Sequence, residues 1–249
     1  MQNSFEGNSP TPILDAIKHA VDTSRAAGNT PLIVFDVDDT LIDCRHRKSL
    51  VFHAFAREEM TKKRWPDDTR KLSAHNWEHL KYRVHDNLHP LSITDKIFGD
   101  ELLTYWLKHY FTYPYLIQDR AFPGAQAFVQ RCLEMGAHIM YLTARDHPGM
   151  YQGTVEALES LGFPIHRPNI HVLLKPEASQ SDYHFKVGAL EKIAALGDVI
   201  ASFENELPNL NAMAERFPSA LMIWRKTLYA PEPPPPHSRV QIMEHFPTS

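Results

Sequence analysis

The chain has 249 residues, a formal net charge of −4 at pH 7 and a pI near 6.4, values typical of an ordinary soluble protein and not of a general nucleic-acid binder. No stretch approaches the roughly 18 apolar residues of a membrane span, and the first ten residues lack the basic segment and apolar run of a secretion signal. Cys44 and Cys132 provide no disulfide framework, which fits a reducing compartment. We therefore expect a cytoplasmic protein of one or two domains, with no membrane contact, whose oligomeric state the sequence leaves open.

The first predicted element is a helix. Residues 11–26 place apolar side chains at the spacing of one helix face, and Gly28 is a suitable stop signal. The apolar positions are Ile13, Leu14, Ile17, Ala20 and Val21. We expect residues 1–30 to form a leading segment whose helix packs on the core and takes no part in the chemistry.

An apolar stretch that runs into a dense acidic cluster follows at residues 32–41, LIVFDVDDTL. Its apolar half, led in by Pro31, predicts a buried strand of a parallel sheet. Asp36, Asp38 and Asp39 would then lie at the carboxyl edge of the sheet, where open α/β folds bind their ligands. Carboxylates packed this closely repel one another unless a cation or a proton holds them together, and hard oxygen ligands favour Mg²⁺ over zinc or copper.

The pattern of four apolar residues followed by D-x-D-x-T resembles the first motif of the haloacid dehalogenase-like superfamily. The match falls on Asp36, Asp38 and Thr40. The resemblance implies that Asp36 attacks phosphorus and that Asp38 shuttles the proton. Asp39 and Thr40 are assigned structural roles in fixing the loop. An acidic strand end can also be a plain helix-capping loop, so the later motifs decide between the two interpretations.

Residues 44–120 are predicted to be a helical insert, because they contain helical patterns and no convincing strand. Between Arg45 and Arg83 there are eleven Lys and Arg against five Asp and Glu. These charges indicate either a solvated surface or a basic face that meets an anionic substrate. In the superfamily that the chain resembles, a helical cap between the first and second motifs closes over the active site and selects the substrate. Arg45 and Arg47, just after the acidic cluster, are therefore candidate substrate contacts.

The insert also contains the pattern H-x-x-E-H, at His75, Glu78 and His79. This pattern is the zinc signature of the inverzincin peptidases, and on a helix the two histidines would share a face. A chain with 15 histidines easily produces such a match by chance. The peptidase interpretation therefore needs its structural context.

The second core strand is predicted at residues 137–142 and runs into Thr143 and Arg145. It is similar to the second motif of the superfamily, an apolar strand that ends in Thr or Ser. Thr143 could donate a hydrogen bond to a phosphoryl oxygen or cap the following helix. Arg145 could pair with the substrate phosphate or with a structural carboxylate.

Two lysines compete for the third motif, whose ammonium group neutralises the nucleophile and the transferred phosphoryl group. Lys186 opens a helix and precedes Glu204 by 18 residues, which fits the resemblance better. Lys175, at the end of a strand predicted at residues 170–174, is the alternative.

The fourth motif is expected where the predicted strand 199–203 ends on Glu204 and Asn205. The resemblance implies a Mg²⁺ ion held by Asp36, the backbone carbonyl of Asp38 and Glu204. The sequence departs from the common pattern here, since Glu204 stands where Asp is more usual and Asn205 where a second Asp is often found. Glu offers the same oxygens one methylene further out, and Asn205 offers a carbonyl oxygen in place of a charge.

A fifth strand is predicted at residues 220–224, before a proline-rich tail at residues 229–249. Strands alternating with helices predict an α/β fold: a doubly wound parallel sheet, similar to the Rossmann-like core of the superfamily, with an inserted helical cap domain. The core is expected at residues 31–43 and 121–228, and the cap at residues 44–120. The polyproline stretch is interpreted as a stiff spacer, with a ligand for a proline-reading domain as the alternative.

These motifs together predict a Mg²⁺-dependent hydrolase that acts on a small phosphomonoester through an aspartyl-phosphate. Asp36 is the candidate nucleophile and Asp38 the candidate acid and base, while Thr143 and Lys186 would hold the phosphoryl oxygens. An acid placed two residues after the nucleophile favours phosphoryl chemistry over dehalogenation. The alternatives are a phosphotransferase or mutase with the same intermediate, and a catalytically idle binding or scaffold protein.

Overall fold

The computed structural model describes residues 11–247, so the expectation for the first ten residues lies outside the described part of the chain. The described residues form one sheet whose strands are Pro31–Phe35 (β1), His138–Asp146 (β2), Ile170–Lys175 (β3), Asp198–Glu204 (β4), Leu221–Arg225 (β5) and Val240–Met243 (β6). The strands lie in the order β3-β2-β1-β4-β5-β6, and each neighbouring pair is parallel. The predicted α/β fold with a parallel sheet is confirmed.

The helices account for most of the remaining chain. In chain order they are Thr11–Ala26 (α1), Cys44–Arg57 (α2), Glu59–Arg64 (α3), Pro66–Ser73 (α4), Lys96–His109 (α5), Tyr113–Leu116 (α6), Ala125–Glu134 (α7), His147–Ser160 (α8), Asp182–Gly188 (α9), Leu190–Ala194 (α10) and Leu207–Arg216 (α11). None of the helices in this range is both long and apolar enough to cross a membrane. The leading helix α1 has the bounds that its apolar spacing predicts.

Helices cover both faces of the sheet. Ile33 and Phe35 of β1 pack in a cluster that includes residues of α1, α7 and α8. Leu32 and Val34 point to the opposite face and pack with residues of α9, α10 and α11. A strand buried on both faces needs apolar residues at every position, which accounts for the uninterrupted run LIVF.

The insert between β1 and β2 has an apolar cluster of its own. The insert contains helices α2 to α6 and short 3₁₀ turns at Trp77–His79, His85–Asn87 and His89–Leu91. Phe52 of α2 and Phe98 of α5 are fully buried in this cluster. Since α2 begins directly after the acidic stretch, packing of the insert bears on the loop that carries the carboxylates. The domain boundaries stay a prediction.

Two elements differ from the sequence-based expectation. The helix that Lys186 was expected to open is divided at Ala189 into α9 and α10, and Lys186 lies near the end of α9. The tail after the polyproline stretch contains β6, which pairs with β5 and extends the sheet. Because β6 has only four residues and follows a run of prolines, its sequence pattern is too short to predict a strand.

Gly197 and Gly188 differ in the space around their Cα atoms, and this difference allows a test of the packing. A Cβ at Gly197, in the turn before β4, would lie 2.6 Å from the carbonyl oxygen of Thr30, whereas a Cβ at Gly188 would meet no atom within 4 Å. We expect Gly197→Ala to lower the free energy of unfolding by about 2 kcal/mol, because backbone must move to relieve the overlap. Gly188→Ala, at the end of α9, should raise it by about 0.5 kcal/mol. Urea denaturation of the two variants measures both changes, and equal effects would contradict the expectation.

Candidate active site

The loop after β1, residues 36–43 and called the acidic loop below, turns back on itself at the carboxyl edge of the sheet. The backbone N–H groups of Leu41 and Ile42 donate to the carbonyl oxygen of Val37 at 2.9 and 3.0 Å. Asp39 adopts a left-handed backbone conformation with φ of 56°, which is uncommon for a residue with a side chain. The turn gathers the carboxylates of this loop at one place.

Asp36 is linked to Glu204 through Lys186. The Nζ of Lys186 donates to Asp36 Oδ1 at 2.6 Å and to Glu204 Oε2 at 2.7 Å. All three side chains are buried, and that of Glu204 has no exposed surface. Lys175 lies elsewhere and pairs with Asp182 at 2.7 Å. The geometry therefore favours Lys186 for the role that the resemblance gives to a lysine, and the role itself stays a prediction.

Burial and a neighbouring negative charge both raise the pKa of Asp36. Burial and then the negative charge of Glu204 raise the pKa of Asp36 to about 7, although the Lys186 ammonium opposes both. For Lys186, burial alone would lower the pKa, but the charges of Asp36 and Glu204 outweigh it and raise the pKa above its usual value. The lysine therefore stays charged beside a carboxylate whose ionisation costs free energy.

Asp38 is held by two arginines from different parts of the chain. Arg145, at the end of β2, donates from Nε to Asp38 Oδ2 at 2.8 Å and from Nη2 to Oδ1 at 2.7 Å. Arg47, on the first turn of α2, donates to the same Oδ1 at 2.6 Å. Burial alone would raise the pKa of Asp38, but the two guanidinium charges hold it well below its usual range. Asp38 is therefore ionised in this arrangement.

A fourth charged residue, Asp119, completes this network and is absent from the sequence-based site. It accepts from Arg145 at 2.6 Å and lies 3.1 Å from Arg47 Nε, and its side chain has no exposed surface. Arg47 also lies over the ring of Tyr110, with 4.2 Å from Cζ to the ring centroid. Asp119 stands where the chain returns from the insert to the core. An acidic residue at that second crossing is the one sequence signal that could have pointed to it.

Two further residues, Thr143 near the end of β2 and Asn205 directly after β4, lie at the carboxyl edge of the sheet. Thr143 is buried, and its hydroxyl oxygen accepts the backbone N–H of Arg145 at 3.2 Å, so its O–H stays free to donate. The hydroxyl of Thr40 donates to Asn205 Oδ1 at 3.3 Å. Asn205 thus ties the end of β4 to the acidic loop, and the structural role expected for Thr40 stays a prediction.

The candidate substrate contacts have partners within the protein. Arg45 donates to both carboxylate oxygens of Asp43 and, at 2.6 Å, to the carbonyl oxygen of Glu78. Arg47 is fully buried, and Arg145 is nearly so. Lys175 is engaged with an aspartate, as described above. Of the two roles weighed for Arg145, the structural carboxylate is the one present, and contacts of these residues with a substrate stay predictions.

A magnesium ion does not fit the predicted ligands as they are arranged. Both oxygens of Glu204 are taken, since Oε1 accepts the backbone N–H of Glu206 at 3.1 Å and Oε2 accepts from Lys186. Within residues 11–247, no group of three or more His, Cys, Asp or Glu side chains could hold a metal ion. A cation other than Lys186 would have to displace that ammonium from between Asp36 and Glu204.

The H-x-x-E-H pattern lacks the context of a zinc site. Its second half lies in the 3₁₀ turn Trp77–His79, so the two histidines do not stand on one face of an α-helix. His75 Nε2 lies 2.8 Å from Ser49 Oγ, and its ring stacks on His53 with centroids 4.6 Å apart. The peptidase interpretation is therefore not supported.

Asp119 provides a test of the charge network. Asp119→Asn removes the fully buried carboxylate from a set of two arginines and two aspartates, and leaves excess positive charge beside two buried guanidinium groups. We expect the free energy of unfolding to fall by about 3 kcal/mol. Asp22→Asn is the matched control, since Asp22 pairs with Lys18 on the exposed face of α1 and should leave stability unchanged. Urea denaturation compares the two, and an equally small effect at both positions would show that the network does not support the fold.

Comparison with known proteins identifies the fold. No protein-family model matches the sequence, and no curated protein has a similar sequence. Solved structures do match: a proposed phosphatase from Clostridium difficile (10% identity, TM-score 0.53, 86% of this chain and 94% of that one) and a proposed haloacid dehalogenase-like hydrolase from Burkholderia xenovorans LB400 (16%, 0.50, 87% and 93%). A haloacid dehalogenase-like family hydrolase from Streptococcus pneumoniae matches at 12% identity and a TM-score of 0.50 over 86% and 94% of the two chains. The resemblance seen in the motifs is confirmed at the level of structure: the chain has the fold of the haloacid dehalogenase-like superfamily.

Proposed function

We propose that the chain hydrolyses a small phosphomonoester, with Asp36 as the nucleophile. The observation that supports this most directly is the ion pair of Asp36 and Lys186 at the carboxyl edge of the sheet. A carboxylate is a weak nucleophile, and its charge repels an anionic phosphoryl group. An ammonium beside it offsets that repulsion, so that position and charge can supply most of the acceleration.

The reaction would proceed in two displacements. In the first, a carboxylate oxygen of Asp36 forms a bond to phosphorus as the bond to the substrate alcohol breaks, which leaves an aspartyl-phosphate. In the second, water attacks phosphorus and gives a proton to the ionised carboxylate of Asp38, the bond from phosphorus to Asp36 breaks, and inorganic phosphate leaves with the carboxylate of Asp36 restored. The ammonium of Lys186 and the hydroxyl of Thr143 are the donors available for the phosphoryl oxygens.

The environment of Asp38 bears on the choice of substrate. The alcohol needs a proton as it leaves, but an ionised Asp38 has none to give. The acid role proposed for Asp38 requires that the phosphoryl oxygens draw Arg145 or Arg47 away from it. Leaving groups that depart as stable anions, such as nitrophenolate, avoid this requirement. Aryl phosphates are therefore the first substrates to assay.

Mg²⁺ is the cofactor that the resemblance implies, and it stays a prediction. Lys186 already bridges the two carboxylates proposed as its ligands, so every step above uses only groups of the chain. The assay tests the cofactor separately, by comparing rates in Mg²⁺ and in a chelator.

The test is phosphate release from a panel of aryl and alkyl phosphomonoesters by the unmodified protein and by Asp36→Asn. We expect release from at least one member, lowered at least about a thousandfold in the variant, because the amide cannot form the intermediate. Asp198→Asn is the control. Asp198 begins β4 at the opposite edge of the sheet, and its replacement should leave the rate unchanged.

The outcomes separate the alternatives. Release that survives in Asp36→Asn would contradict the proposed nucleophile. Transfer of the phosphoryl group to an added alcohol, in place of release, would identify a transferase. A protein that binds the esters and turns over none would be an idle member. Rates that rise with Mg²⁺ would support the predicted ligands Asp36 and Glu204, and rates that do not respond would contradict them.

A further inference from the structure

Cys44, the first residue of α2, contacts the acidic loop with both its backbone and its side chain. Its backbone N–H donates to Asp39 Oδ1 at 3.1 Å, and its sulfur lies 2.8 Å from Asp38 Oδ1. The residue is buried, with 1% of its surface exposed. The backbone contact fixes the start of the helix against the loop, so the thiol is held in place beside the carboxylate of Asp38.

The contacts of the sulfur atom assign the direction of its hydrogen. Arg47 Nη2 lies 3.2 Å from the sulfur, and a guanidinium can only donate, so the sulfur accepts on that side. The thiol hydrogen can then go to Asp38 Oδ1 at 2.8 Å or to the carbonyl oxygen of Ile42 at 3.9 Å. The carboxylate oxygen is much closer and carries charge, which strengthens a hydrogen bond. The thiol therefore donates to Asp38.

This bond makes the two oxygens of Asp38 unequal. Oδ1 accepts from Cys44, from Arg47 Nη2 at 2.6 Å and from Arg145 Nη2 at 2.7 Å. Within residues 11–247, Oδ2 accepts only from Arg145 Nε, at 2.8 Å. A carboxylate oxygen has about two lone-pair positions, so Oδ1 is saturated and Oδ2 keeps one open. The side chain of Asp38 is 34% exposed, so this carboxylate is accessible to water.

We propose that Cys44 is a positioning residue for the second displacement. By completing the set of donors to Oδ1, its thiol holds the carboxylate of Asp38 so that Oδ2 accepts the proton of the attacking water. The water oxygen forms its bond to phosphorus as the bond to Asp36 breaks, and the proton passes to Oδ2. This role rests on the proposed function and deepens it, since it names the oxygen that acts as the base and the residue that orients it.

A buried thiol often serves only as a small apolar group that fills space. Two substitutions separate that role from positioning. Alanine removes the donor, whereas serine keeps a donor at the same atom of the side chain. If the thiol only fills space, serine offers nothing that alanine lacks. If the thiol positions Asp38, serine restores what alanine removes.

The two displacements are timed separately with 4-nitrophenyl phosphate labelled at phosphorus. Release of nitrophenolate measures the first displacement, which needs no acid, and the loss of acid-trapped aspartyl-phosphate measures the second. We expect Cys44→Ala to slow the second displacement about tenfold, the usual effect of losing one hydrogen bond to a charged group, and to leave the first unchanged. Cys44→Ser should recover the rate of the second displacement to within about threefold.

Cys132→Ala is the matched control. Cys132 is the other free and buried cysteine of the described chain, and it lies on α7 in the apolar cluster on one face of the sheet. Its replacement removes a thiol of the same kind from apolar surroundings. The rate constants of both displacements should stay unchanged.

The contact itself is measured without turnover, by infrared spectroscopy of the S–H stretching bands. Cys44→Ser and Cys132→Ser each remove one band and so assign both. A thiol that donates to a carboxylate absorbs at a lower frequency than one that donates to a neutral oxygen, because its S–H bond is weakened more. The band of Cys44 should therefore lie below that of Cys132, and Asp38→Asn should raise its frequency.

Equal rates of the second displacement in Cys44→Ala and in the unmodified protein would overturn the proposal. So would a loss shared equally by both displacements, a loss that Cys44→Ser does not restore, or a Cys44 band that Asp38→Asn does not move. Absence of trapped aspartyl-phosphate from every form of the protein would instead contradict the proposed function, and the role of Cys44 with it. The two failures are distinguishable, because only the second removes the intermediate from the unmodified protein.

Discussion

The structure depends on how carboxylates crowded at one edge of a sheet are held together. Asp36, Asp38 and Asp39 follow one strand, and Glu204 ends the neighbouring one. All but Asp38 are buried, so water cannot screen their mutual repulsion. Such a set is stable only when cations with good hydrogen-bond geometry, or protons, offset the charges of the carboxylates. The arrangement of charged side chains at this edge is therefore set first by the need to balance the charge of the carboxylates.

The cations come from every part of the chain that borders the loop. Lys186 arrives from the helix after β3, Arg145 from the end of β2, and Arg47 and Lys48 from the first helix of the insert. Neutralising the acidic loop thus requires that the core and the insert be folded together. Asp119 strengthens this dependence, because it joins an arginine of each at the point where the chain re-enters the core. The charge network of the site therefore contains residues of both the insert and the core.

Much of this arrangement could be predicted from the sequence, and the remainder has a physical reason for being hidden. Apolar runs that end in polar residues indicate parallel strands, and parallel strands bring their ends together, which is why Asp36, Thr143 and Glu204 could be placed at one edge. Such a pattern does not predict the direction in which a long side chain points. Arg145 was left open between substrate and structure because a guanidinium reaches several positions from one backbone site. Whether a lysine faces a carboxylate or solvent depends in the same way on helix placement, so the sequence favoured Lys186 over Lys175 without excluding either.

The C-terminal segment shows how a strained loop is held from outside. Asp39 keeps a left-handed backbone, and its carbonyl oxygen accepts a hydrogen bond from the Thr227 hydroxyl. Arg225 at the end of β5 is buried without a carboxylate partner in the described part of the chain, and burial lowers its pKa to about 9. Its Nη1 donates to the carbonyl oxygen of Met243 at 2.7 Å, and its guanidinium lies 4.1 Å from the ring centroid of Phe246.

Burying a cation without a counter-charge destabilises the folded state, so the other contacts of the Arg225 guanidinium must offset that cost. Here the guanidinium connects the loop side of β5 to the segment around β6, while Thr227, two residues further on, donates to the backbone of the acidic loop. The role of the proline-rich stretch as a spacer stays a prediction. After this stretch, β6 pairs with β5. Met243 at the end of β6 and Phe246 beyond it then contact Arg225 behind the acidic loop.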